Sequence, residues 1–483
     1  MGYEMVLLRE NGTRLRFKGH KVLRQRPGSS PWTDTTTLFV RVHDAESAQG
    51  PLVAQGILTL DLEDLLRQAF SIRLEPPTNL LGALEQQVPA ARDAINAVYL
   101  AKFGGFFGTT LFRAYGGLLA DLNNFPALDL PQLQRRALRA PAPVAHSVDV
   151  GDGFKIKLTR YAGGARGPVV LAPGFSVRAS SFATDTVEQN LVEALCARGY
   201  DVWLFDYRAS PDSGSPIAPF TIDDIARIDW PAAVRFILEA TGAPDLQAIA
   251  HCVGSMSLLM ALLDGMTGVR SIVSSQLTLH PVTNWLNYAK ADLGLARLLE
   301  GYAPLEDRFD SVPGTTDLDR EIDTLAWKVP IPAGEECKNP LCRRVFSIFG
   351  PSYAHAQLNN ATHTALAEMF GCVSLRPFEQ LSLMMQQAKA VDSEGRDVYV
   401  VPEKAKRLAL PISFVAGAGN ELFFPETCIR TQRWLSAHND PALYTRHIFD
   451  GYAHMDLFIG RDAARDVFPY LITQLERADQ KQR

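Results

Sequence analysis

From about residue 145 the chain alternates between short apolar runs and longer amphipathic stretches. "GPVVLAPG" reads as a buried strand, "TVEQNLVEALCARG" as a helix ending at Gly199, and "YDVWLFDYR" as the next strand. "TIDDIARIDWPAAVRFILEATG" is a long helical pattern with Gly242 at its end, and "VRSIVSSQL" is a further strand. Strands joined through helices pair in parallel, and a parallel sheet needs helices over both faces. The rhythm breaks over residues 282–404, which are mixed and mostly helical. It resumes with "LPISFVAGAG", "ETCIRTQRWLSAH", "LYTRHIFDGYAHMD" and "AARDVFPYLITQLERA". The expected core therefore has two parts, 145–281 and 405–483, with 282–404 inserted between them as a cap.

The residues before the core have a different pattern. "TTTLFVRVHD" and "LVAQGILTLD" alternate apolar and polar residues around the turn-like "AESAQGP", and "LEDLLRQAF" has helical leucine spacing. Residues 1–78 are expected to form a small β-rich domain. Residues 79–144 are expected to be an apolar helical segment followed by the linker "PQLQRRALRAPAPVAHSV". "HSVDV" and "FKIKLTRYA" around "GDG" predict a hairpin. "AINAVYLAKFGGFFGTTLFRAYGGLLA" is long enough to span a bilayer, but Lys102, Arg113 and its glycines interrupt it. It reads as one or two helices packed on the main body, with an interfacial helix touching a membrane surface as the alternative.

Composition narrows the function. A hydrophobic fraction of 47%, a charged fraction of 21% and a net charge of −5 over 483 residues are ordinary for a globular protein. They supply no electrostatic ground for nucleic-acid binding. "MGYEMVLLRENGTRLRFKGHKV" has no uninterrupted apolar core, so it is not read as a secretory signal and a cytoplasmic location is expected. The 6 cysteines are scattered and read as reduced thiols. Cys337 and Cys342 are the closest pair, but zinc needs further ligands at fixed spacing. His355 and His363 follow without a recognised metal pattern, so no metal is expected.

The chemistry centres on "LQAIAHCVGSMSLLMALL". An apolar strand stops at Ala250, turns through His251, Cys252, Val253 and Gly254, and continues as helix. Small residues on either side of Cys252 permit the sharp turn that presents a nucleophile. Ser255 is the rival, but its frame puts Val253 in the tight turn and places it one step into the helix. The helix N-terminus is expected to lower the Cys252 pKa. His454, in "DGYAHMDLF" after the last core strand, is the candidate base. The chain order of nucleophile, orienting residue and histidine suits the arrangement.

These residues resemble the nucleophile elbow of the α/β-hydrolases, and a cysteine at the elbow is similar to polyhydroxyalkanoate synthases. That resemblance implies an oxyanion hole from the backbone N–H groups of Phe175, in "LAPGFSV", and Val253, with Gly174 allowing close approach. It also implies an acid after "PISFVAG", where this chain has Gly417-Ala418-Gly419-Asn420-Glu421. Asn420 holds the place counted from Gly417, and Glu421 holds it counted back from Pro425. A Cys–His pair resting as thiolate and imidazolium would tolerate Asn420, as in Cys-His-Asn proteases. "FGGFFGTTLFRAYGG", "NPLCRRVFSIFGPSYAHAQLN" and "GYAHMDLFIGRDAARDVFP" resemble the hydrolase half of fusions with cholesterol-oxidase-like flavin oxidoreductases. A separate flavin oxidoreductase is therefore a possible partner. No Gly-x-Gly-x-x-Gly opens this chain, so no FAD is expected. "IDDIARIDWPAAVRFILEATG" resembles the corresponding helix of acid lipases.

The implied activity is hydrolysis of an acyl ester or thioester, with a hydrophobic acyl chain or a sterol-like alcohol as substrate. Acyl transfer with the same nucleophile and a non-catalytic partner module are the alternatives. No cofactor is expected.

Overall fold

The computed structural model describes residues 2–8, 13–20, 37–44, 50, 52–59, 130–213, 219–284, 287, 308–314, 323, 326, 331, 335 and 337–480. The chain forms two compact units, residues 1–125 and 126–483.

In the first unit, β1 (Gly2–Leu8), β2 (Arg14–His20), β3 (Thr37–Asp44) and β4 (Leu52–Thr59) form an antiparallel sheet in sequence order. Thr37 pairs with Thr59 across the β3–β4 hairpin. This is the small β-rich unit expected from the sequence. "LEDLLRQAF" and the apolar stretch 94–120 lie outside the described residues.

The second unit is built on eight strands. They are β5 (Val144–Asp149), β6 (Lys155–Tyr161), β7 (Pro168–Ala172), β8 (Asp201–Asp206), β9 (Leu246–His251), β10 (Val269–Ser275), β13 (Ile412–Gly417) and β14 (Tyr444–Phe449). Their order is β14-β13-β10-β9-β7-β8-β6-β5. β5 and β6 form the antiparallel hairpin predicted at "GDG", β6 pairs antiparallel with β8, and every other neighbour is parallel. This is the α/β-hydrolase fold, with the small antiparallel sheet added before it. β7 (PVVLA) is apolar throughout because both its faces are covered. On β7, Val170 and Ala172 enter one core, and Val169 and Leu171 enter the other.

The helices follow the predicted pattern with physical adjustments at their ends. α1 (Leu191–Ala197) starts later than the sequence pattern, because Asn190 and Glu193 form a reciprocal capping box there. α2 (Trp230–Thr241) ends where Gly242 turns left-handed at φ 66°. A π-helical turn, Ile225–Asp229, lies just before Pro231, which has no N–H to donate back into it. α3 (Val253–Leu263) follows β9 directly and is buried on all sides.

The segment expected to be a linker packs as part of the second unit. Arg136 forks onto the buried Glu193 carboxylate at 2.6 and 2.5 Å, and Arg139 N–H donates to the same carboxylate at 2.6 Å. Burial leaves Glu193 in need of partners, and the "RRALR" stretch provides them. Among the described residues between β10 and β13 are a short antiparallel pair, β11 (Arg308–Asp310) and β12 (Cys372–Ser374), and three helices of nine residues or more. These are α4 (Pro340–Ile348), α5 (Asn360–Met369) and α6 (Arg376–Gln387). α7 (Glu426–Ser436) and α8 (Phe468–Gln480) complete the second half. Among the described residues, no helix is long and apolar enough to cross a membrane.

Candidate active site

Cys252 sits alone between β9 and α3 with φ 53° and ψ −126°. L-residues rarely adopt this backbone, and such strain persists only where the surroundings enforce it. Cys252 N–H donates to Ser275 O at 2.9 Å, tying the turn to the end of β10. A Cβ on Gly254 would stand 2.4 Å from Pro173 O, and one on Gly174 would stand 3.2 Å from Cys252 Cβ. Gly254 needs glycine because two backbone segments meet there, and at Gly174 an added methyl would crowd the Cys252 and His251 side chains. Ser255 is fully buried, and its Oγ pairs with Ser274 Oγ at 2.7 Å, so its hydroxyl is engaged inside the core.

The Phe175 and Val253 backbone N–H groups lie near the Cys252 sulfur and favour its thiolate. The loop carrying Phe175 is braced from several sides. Tyr207 Oη donates to Pro173 O at 3.0 Å, and Ser176, at φ 58°, donates through Oγ to Gly371 O at 3.0 Å. Arg178 donates to Phe370 O at 2.5 Å, so the inserted segment supports the loop.

His454 follows β14 and is almost fully buried. Its Nδ1 lies 3.3 Å from Asn420 Oδ1. Asn420 is itself held: Oδ1 accepts from Leu422 N–H and Phe423 N–H at 3.1 and 3.2 Å, and Nδ2 donates to Gln276 Oε1 at 2.6 Å. Gln276 Nε2 in turn donates to the carbonyls of Ala453 and His454, both at 2.8 Å. Glu421 is exposed, and its carbonyl, rather than its carboxylate, meets the neighbouring segment by accepting from Asn284 Nδ2 at 2.7 Å. Of the two residues left open by the sequence, Asn420 therefore takes the place beside the histidine. Asp456 accepts from Ala453 N–H at 2.8 Å and thus supports the backbone of the His454 loop.

Electrostatics correct the expected resting state. Burial pushes the Cys252 thiol up to about 12, outweighing the two N–H groups that favour its thiolate. Burial, and secondarily the neighbouring His251, hold His454 well below the usual histidine range. The His251 ring lies 4.6 Å from that of His454, is itself lowered to about 3 by burial, and bonds through Nδ1 to Ser275 Oγ at 3.2 Å. A neutral thiol and neutral imidazole replace the expected ion pair, because desolvation in this pocket costs more than the helix N-terminus returns.

Cys252, His454, Gly174 and Phe175 line one cavity. Its remaining walls are largely apolar and come mostly from the insertion, including Ile348, Phe349, Phe378, Leu381 and Met385. Apolar walls around a few convergent polar groups are the usual form of a small-molecule site.

Gln276 and Tyr207 escaped the sequence reading, because neither belongs to a local motif. The left-handed φ of 72° at Gln276, just past β10, is visible only in the fold. Cys337, Cys342, His355 and His363, which form no recognised metal pattern in sequence, come together in the fold. One ligand atom from each lies within 4.8 Å of the others.

A family profile for the alpha/beta hydrolase fold matches residues 167–306. Human lipase member K is 29% identical over 133 residues, covering 24% of this chain and 33% of that protein. Rat lysosomal acid lipase/cholesteryl ester hydrolase is 28% identical over 128 residues, covering 23% and 32%. Human gastric triacylglycerol lipase is 30% identical over 128 residues, with the same coverages of 23% and 32%. The chain thus spans about a third of the length of the curated relatives it matches. Among solved structures, a Paleococcus ferrophilus monoacylglycerol lipase aligns over 67% of this chain and 99% of its own, with 15% identity and a TM-score of 0.41.

Proposed function

We propose that this chain hydrolyses acyl esters or thioesters of hydrophobic substrates through a covalent acyl-enzyme on Cys252. The observation that carries this reading is the convergence at one strained elbow. Cys252, beside Phe175 and Val253, shares an apolar cavity with His454, whose Nδ1 lies against the Asn420 amide. The named lipase relatives favour an ester with an acyl chain, and the apolar walls favour a greasy acyl group or sterol-like alcohol.

In this mechanism Asn420 Oδ1 accepts the Nδ1 proton of His454, which leaves the Nε2 lone pair to act as base. Nε2 takes the thiol proton as sulfur attacks the carbonyl carbon. The resting groups are neutral, so proton transfer and attack are coupled, and general-base assistance is worth about 10²–10⁴-fold. The tetrahedral oxyanion binds the Phe175 and Val253 N–H groups, each such donor being worth roughly 3–4 kcal/mol in the transition state. Collapse breaks the bond to the leaving alcohol or thiol, which takes the proton back from His454. Water, deprotonated by the same imidazole, then releases the acid and the free thiol.

A panel of p-nitrophenyl esters and acyl thioesters of increasing chain length, run with wild type and Cys252→Ala, tests the proposal. Wild type should turn over the longer chains, with a rapidly formed acyl adduct mapping to Cys252 by mass. Cys252→Ala should lose about 10⁵–10⁶ in kcat. Turnover undiminished in Cys252→Ala overturns the mechanism. Adding alcohol acceptors and analysing products separates hydrolysis from acyl transfer.

A further inference from the structure

The insertion carries a second cluster that the hydrolytic mechanism leaves unused. Cys337 precedes α4, Cys342 lies in its first turn, His355 opens a one-turn 3-10 helix and His363 lies on α5. One ligand atom from each falls within 4.8 Å of the other three. Cys342 Sγ is already 3.3 Å from His363 Nε2. Cys337, Cys342 and His355 are all at least nine-tenths buried, and none of the cysteines is in a disulfide.

His355 supplies a second, independent observation. Its Nδ1 lies 2.6 Å from Glu335 Oε2, and its Nε2 is buried with no hydrogen-bond partner. A carboxylate on one ring nitrogen fixes the tautomer and aims the other nitrogen as a ligand, which is the usual outer-shell arrangement behind a metal-bound histidine. A buried imidazole nitrogen left unpaired is costly unless something occupies its lone pair.

We propose that Cys337, Cys342, His355 and His363 bind one zinc ion as a closed, structural site that fastens α4 to α5. Two sulfurs and two nitrogens suit zinc in tetrahedral geometry, with Zn–S about 2.3 Å and Zn–N about 2.0 Å. Ligands at those lengths stand roughly 3.3–3.8 Å apart, so the cluster closes by at most about 1.5 Å. Both thiols lose a proton to solvent on binding, and the two thiolates neutralise the dication. Four protein ligands leave no open position for substrate, so the ion has a holding role.

Its placement explains what is held. His355 of the cluster lies three residues after Ser352 in the chain. Ser352 lines the catalytic cavity, and its carbonyl accepts from Met455 N–H, next to His454, at 2.9 Å. The ion would thus anchor the segment against which the histidine loop rests.

The test is metal analysis of the full chain after equilibration with zinc and gel filtration. Wild type and Cys252→Ala should both retain about one zinc per chain, while Cys342→Ser and His363→Asn should lose most of it. Cobalt exchanged into wild type should give thiolate charge-transfer absorption and the strong visible bands of a tetrahedral site. This spectrum reads the site without any variant having to fold. Wild type without stoichiometric zinc, a cobalt spectrum lacking thiolate bands, zinc fully retained in the Cys342→Ser and His363→Asn chains, or a Cys337–Cys342 disulfide on mass mapping would each overturn the proposal.

Discussion

His454 Nδ1 meets Asn420 Oδ1 at 3.3 Å, so of the two candidates Asn420 and Glu421 it is the neutral amide that stands beside the histidine. The amide orients the ring and fixes its tautomer without adding a charge. Its own anchors, the Leu422 and Phe423 N–H groups and Gln276, prevent it from turning away.

Asn420→Ala should therefore lower kcat/KM by about 10²–10⁴, the range for mispositioning a general base. Glu421→Gln should stay near wild type, since that side chain is exposed. Measuring kcat/KM for both with one p-nitrophenyl ester decides the assignment. A strong loss in Glu421→Gln alone would move the role to Glu421.

The Cys252 thiol, pushed up to about 12 by burial, should alkylate slowly at neutral pH. Its iodoacetamide rate, followed by peptide mapping, should still be rising at about pH 10, above the pKa of about 8.5 of an ordinary thiol. A plateau below about pH 8 would show a thiolate stabilised by an imidazolium instead.

His251 is held to about 3 by burial, against an ordinary value of 6.5. The unfolded chain binds a proton there below about pH 6.5, whereas the folded chain stays neutral until near pH 3. Stability present above that window is lost as pH falls through it, by roughly 4–5 kcal/mol from this group at the low end. His251→Asn retains a polar atom for Ser275 and removes the titration, so its urea-unfolding free energy should fall less between about pH 7 and about pH 4. Parallel pH profiles for the two proteins would remove His251 as a source of acid sensitivity.

Gly254→Ala places a methyl 2.4 Å from Pro173 O, so the elbow and the Phe175 loop must separate. A stability loss of roughly 1–3 kcal/mol is expected from such overpacking, with a fall in kcat because the Phe175 N–H moves off the sulfur. Ser255→Ala removes one buried hydroxyl pair and should cost about 1 kcal/mol with activity within tenfold of wild type. Urea midpoints and kcat for both variants check this ranking.

The sequence by itself determined the parts that depend on local pattern. Alternating strand and helix periods require a parallel sheet, and a small-Cys-small turn between strand and helix requires an elbow. Cys252 and Gly254 stood out from the turn itself, and Phe175 and His454 from the resemblance to the α/β-hydrolases, each a few residues past the end of a strand. What stayed open was set by distance through space and by loss of water. Asn420 and Glu421 are adjacent in one loop, and only burial of one and exposure of the other separates them. Gln276 matters because a left-handed residue past β10 reaches the carbonyls of a loop far along the chain. The protonation of Cys252 and His454 runs opposite to the local expectation, because the surrounding core desolvates both. Cys337, Cys342, His355 and His363 have no shared spacing in sequence. They meet because α4, α5 and the segment between them pack together, an outcome decided by tertiary contacts.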